Sequence, residues 1–105
     1  MLVEHGAYVE ARSADGWTPL LYASALGDLR LLYALLDKGA DIETIDGNGM
    51  NPLIGAVVQN KPEVVKLLLS RGADVSKRVE GVTLLAIAEE SSVEIAEMLR
   101  RAGAE

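Results

Sequence analysis

Side chains that could act on a substrate are scarce in this chain. There is one histidine, His5, and there is no cysteine. The serines have no base partner at a recognisable spacing. Covalent or acid–base catalysis needs such a pair, held in a pocket that excludes water, so no catalytic residue is assigned and an enzyme is not expected. A lone histidine is not a metal site, and His5 reads as a helix-end cation complementing the dipole or as a solvated side chain. Asp41, Glu43 and Asp46 do not fall at calcium-loop spacing and read as a solvated edge. Gly47-Asn48-Gly49 has the glycines of a phosphate cradle. It lacks the preceding strand and the following lysine of a phosphate loop. No cofactor and no metal is expected.

The chemistry left is that of recognition. Trp17 stands between the turn glycine Gly16 and Thr18, a residue suited to starting a helix. At a turn tip it would be an exposed binding anchor. The alternative is that it folds back over neighbouring turns as packing, with a partner for its indole N–H.

The elements that must position it repeat along the chain. In residues 15–43, Asp15-Gly16 is a turn pair and Thr18-Pro19 opens a helix, Thr as the cap and Pro where no donor is needed. An apolar run ends that helix at Leu26, Gly27-Asp28 breaks it, and a second helix runs from about Leu29 to Lys38. Gly39 sits where a left-handed residue closes a helix. Gly6, Gly39 and Gly72 lie 33 residues apart, each followed by Ala, and Gly103-Ala104 follows 31 later. Thr18-Pro19-Leu20 recurs as Asn51-Pro52-Leu53 and as Thr83-Leu84-Leu85. Such a period means a stacked array in which no unit buries its own apolar face.

Residues 1–12 match the end of a unit. Units follow at 13–44, 45–76 and 77–105, making one domain over residues 1–105. In the second unit, Asn60 with Glu63 resembles a capping box. In the third, which is one residue shorter in its loop, Ser91 with Glu94 does the same. The last helix carries Glu94, Glu97, Arg100 and Arg101, the charge expected of a terminal cap, and Glu97 and Arg101 are spaced to pair. At the other end, Leu20, Leu21, Ala25, Leu31 and Leu32 have little before them to cover them. This predicts an excerpt of a longer array, or an N-terminal edge covered by a partner or, through self-association, by a second copy.

Half of the 105 residues are hydrophobic, yet Phe is absent and the net charge is −6. The core must be Leu, Val, Ile and Ala, suited to thin stacked helices. The acidic balance argues against nucleic acid, whose phosphates need a basic surface. No run of about 18 apolar residues suggests membrane insertion. Without a signal-peptide pattern, a cytoplasmic or nuclear location is expected.

The turn, the T-P-L start, the small-residue first helix, the L-L second helix and the Gly-Ala ending together resemble ankyrin repeats. The resemblance covers nearly the whole chain. It implies an all-α solenoid of helix-turn-helix units with projecting β-turn tips, and a protein partner bound by the tips and the concave face of the inner helices. The family's signature His is replaced by Leu21, Ile54 and Ala86. The Asn that can be hydroxylated in the family is replaced by Glu10, Glu43 and Ser76. Mapping the family's variable positions gives candidate partner-binding residues Arg12, Ala14, Asp15, Trp17, Tyr22, Ala25 and Leu26. Ile45, Gly47, Asn48, Met50, Val58 and Gln59 follow from the second unit, then Arg78, Glu80, Val82, Glu89 and Glu90 from the third. Trp17, Met50 and Val82 share one position in successive units and should form an apolar row. The expected function is a non-catalytic protein–protein interaction module. The alternative is a structural or designed scaffold, or a fragment, with no dedicated partner.

Overall fold

The structure, a computed structural model, describes residues 12–14 and 16–104. Residues 1–11 of the partial unit expected at 1–12, His5 among them, and Asp15 lie outside the described residues. Three helical hairpins follow one another: α1 (Pro19–Leu26) with α2 (Leu29–Asp37), α3 (Pro52–Val58) with α4 (Pro62–Ser70), and α5 (Leu84–Ser91) with α6 (Val93–Arg101). The helices of each pair pack on one another, α3 packs between α1 and α5, and α4 packs on α6. The inner helices thus form one layer and the outer helices another.

Each inner helix starts where local chemistry dictates. Leu21, Ile54 and Ala86 donate their backbone N–H to the side chains of Thr18, Asn51 and Thr83, at 3.4, 2.8 and 3.1 Å. Loss of the signature histidine at these three positions therefore leaves the helix caps intact. Gly27, Gly39, Gly72 and Gly103 all take positive φ at helix ends, as a left-handed closing residue must.

Packing repeats with the sequence. Ala23, Ala56 and Ala88 are fully buried at one position of the inner helices, where only a Cβ separates the backbones. Leu35, Leu68 and Leu99 are fully buried at one position of the outer helices. Leu20, Leu21 and Leu32 are buried, while Ala25 and Leu31 are half-buried. Leu20 and Leu32 belong to the common core with the following unit.

Several local expectations are corrected. The cap of α4 is Lys61, which makes no side-chain cap bond. Asn60 instead takes a left-handed φ of 58°, a conformation Asn tolerates. The cap of α6 is Ser92, not Ser91, since α5 continues through Ser91 and Ser92 Oγ accepts from the Ile95 N–H. Glu97 meets Arg100 at 3.8 Å rather than Arg101, and Arg100 also pairs with Glu89 at 2.6 Å across the last hairpin. The shortened loop of the third unit is a two-stranded hairpin, β1 (Arg78–Val79) with β2 (Val82–Thr83). Its two-residue turn, Glu80-Gly81, has φ of 51° and 82°, the positive pair required by the tight turn favoured in hairpins.

Of the three acids expected at a solvated edge, Asp41 is exposed, but Glu43 and Asp46 are not. Asp46 is buried, and its Oδ1 accepts from the N–H groups of Asn48 and Met50 at 2.8 and 3.0 Å. Asp41 accepts from the Glu43 N–H. Glu43 Oε1 accepts from the Asn51 amide at 3.4 Å and its Oε2 from the Asp74 N–H at 2.8 Å. One carboxylate of the first unit thus ties the cap of α3 to the segment after α4, both in the second unit.

Candidate partner-binding face

Trp17, Met50 and Val82 are placed by the same device in each unit. Each follows a glycine of positive φ, namely Gly16, Gly49 or Gly81, and precedes the residue that caps an inner helix. In the first two tips the chain closes on itself. The Ser13 N–H donates to the Trp17 carbonyl at 2.9 Å, and the Asp46 N–H to the Met50 carbonyl at 3.0 Å. The side chain is held between a fixed turn and a fixed helix, so it costs little entropy to present.

Two of the three meet in one feature. Trp17 and Met50 are half-buried walls of a cavity of about 70 Å³, whose floor comes from α1 and α3 and includes Ala25, Gly55, Val58 and Gln59. The Trp17 ring meets Tyr22 at 5.2 Å between centroids. Trp17 is therefore neither a free tip nor a core residue: it packs on Tyr22 and lines the cavity. Val82 is exposed and lies outside the cavity lining.

Exposed large apolar residues favour this side of the molecule. Tyr22, Leu26, Ile45, Val58 and Val82 are each about half-exposed or more, and all belong to tips or inner helices. On the outer helices Val93 and Tyr33 are exposed, but the Arg71 guanidinium lies over the Tyr33 ring at 5.6 Å and pairs with Asp37 at 2.9 Å. Larger grooves there, about 370 and 420 Å³, are lined with charged side chains such as Glu63, Lys66, Glu94 and Arg101.

The remaining candidates divide. Asn48, Gln59 and Glu80 are exposed. Arg12 is occupied: its guanidinium donates to the carbonyls of Gly16 and Ile45 at 2.8 and 2.7 Å, joining the first tip to the second. Arg78 donates to the Gly81 carbonyl within its own hairpin, and Glu89 is paired with Arg100. Gly55 was not singled out from the sequence, although an isolated glycine inside a helical run is a signal. Among the described residues no group of three or more His, Cys, Asp or Glu could hold a metal ion. Among the same residues no helix is long and apolar enough to cross a membrane.

Stacked helical hairpins joined by turn tips, with inner helices in one layer and outer helices in another, define a repeat solenoid. The family model for ankyrin repeats (3 copies) matches residues 1–79 and again residues 27–105, and the chain belongs to the ankyrin-repeat family. Repeats of this family are generally protein–protein interaction modules and are typically non-catalytic. No curated protein matches the chain.

Proposed function

We propose that this domain binds a protein partner through its turn tips and inner-helix face, with the Trp17–Met50 cavity as the anchor point. The cavity carries this reading. At about 70 Å³ it is well below the roughly 300 Å³ at which small-molecule pockets begin, but it is of a size to take one apolar side chain. Such rigid aromatic and apolar walls are where binding energy concentrates in protein interfaces. A second copy of the chain is a weaker occupant, since the five apolar residues at the N-terminal edge are buried or half-buried.

Selection of a random peptide library against the folded domain tests the reading. Enriched peptides should lose affinity about 5- to 30-fold on Trp17→Ala or Met50→Ala, the range of a hot-spot truncation of about 1–2 kcal/mol. Tyr33→Ala on the outer face should leave it unchanged. Peptides indifferent to Trp17 and Met50 would overturn it and favour a scaffold without a dedicated partner at this site.

A further inference from the structure

Gly55 occupies the middle of α3 with a helical backbone, and a Cβ added there would meet nothing within 4 Å. Neither positive φ nor close packing demands glycine, and glycine weakens a helix relative to alanine. The equivalent positions of the neighbouring inner helices hold Tyr22 and Ile87. Gly55 is thus a notch between two bulky residues, and it opens into the cavity walled by Trp17 and Met50. What the glycine preserves is empty space on the binding face.

The next inner helix changes the chemistry. Ala25, Val58 and Glu90 fall at one position of α1, α3 and α5. The first two line the cavity, while Glu90 is exposed and makes no ion pair among the described residues. Glu89 beside it is paired with Arg100. Lys61, the cation after α3, lies against Gly27 in the α1–α2 turn. In a chain of net charge −6, the surface beyond the notch favours a cation.

Building on the anchor reading above, we infer that the partner is a segment with one large apolar side chain seated in the Gly55 notch and a Lys or Arg facing Glu90. Adjacent packed helices lie roughly 8–10 Å apart, and an extended chain advances about 3.3 Å per residue. The anchor and the cation are therefore separated by about three residues.

The same peptide selection decides it. Enriched sequences should pair Leu, Met or an aromatic residue with Lys or Arg about three positions away. Gly55→Ala should raise the melting temperature yet weaken binding of large-anchor peptides at least several-fold. Glu90→Gln should weaken the basic peptides about two- to five-fold, the span of an exposed ion pair, and flatten their salt dependence without changing the melting temperature. Peptides that need Trp17 but are neutral or acidic, or that bind Gly55→Ala undiminished, would overturn this inference and leave the anchor reading standing. Peptides indifferent to Trp17 would overturn both.

Discussion

The ring of Trp17 meets that of Tyr22 edge to face, with centroids 5.2 Å apart and planes inclined at 69°. This contact joins a turn tip to the first inner helix and fixes the angle at which the indole borders the cavity. Such pairs contribute about 0.5–1.5 kcal/mol beyond their buried area. Tyr22→Ala should therefore lower unfolding free energy by about 1 kcal/mol in urea titration and shift Trp17 emission to the red. Unchanged emission would mean that Tyr22 does not hold the indole.

Glu43 is a joint between units rather than a surface charge. Its two oxygens engage Asn51 and Asp74, and removing it leaves the exposed Asp74 N–H to solvent and the buried Asn51 amide to find another partner. Glu43→Ala should cost about 1–3 kcal/mol of stability. A melting temperature equal to the parent's would show that solvent replaces both bonds.

The third tip carries a conformational cost. Glu80 holds φ of 51° beside Gly81, where Asn-Gly is the preferred pair. Glu80→Asn should stabilise the domain by a few tenths of a kcal/mol up to about 1 kcal/mol, judged from left-handed costs. A loss of stability in thermal melts would mean that the Glu80 side chain contributes to the fold.

Asp74 has a carboxyl held below its ordinary 3.8, first by the Ser76 hydroxyl, then by the Ser76 N–H, with Lys77 adding to both and slight burial opposing. A carboxylate whose folded pKa is depressed stabilises the fold at pH above its unfolded value. That contribution is lost as pH falls through the folded value. An NMR titration should find Asp74 ionising below 3.8, and Ser76→Ala should bring it back towards that value. No movement in the Ser76→Ala protein would assign the shift elsewhere.

Much of the fold was legible because its signals are local. Thr18-Pro19 and Asn51-Pro52 carry cap and first turn within a few residues, and the glycines that close the hairpins are needed for their own φ. What the sequence hid depends on distant partners. Glu43 and Asp46 looked solvated because Asp74, and the turn that wraps Asp46, meet them only after folding. The bond from Arg12 to the Ile45 carbonyl, a full unit away, was likewise hidden in the sequence. Asn60 and Ser91 lost their cap roles to the next residue, a shift of the size at which helix ends are least determined by sequence. In the site, the shared position of Trp17 and Met50 was readable from the period. Gly55 was not recognised, since its effect is a space that only the packed neighbours define.

Trp17 is the only tryptophan in the chain, so its fluorescence reports on the proposed anchor point directly. Titration with peptides whose binding is measured independently by calorimetry should produce a saturable change in Trp17 emission, following the same binding curve and absent from a Gly55→Leu protein that stays folded. Full calorimetric binding with unaltered Trp17 emission would place recognition elsewhere on the molecule and contradict the account.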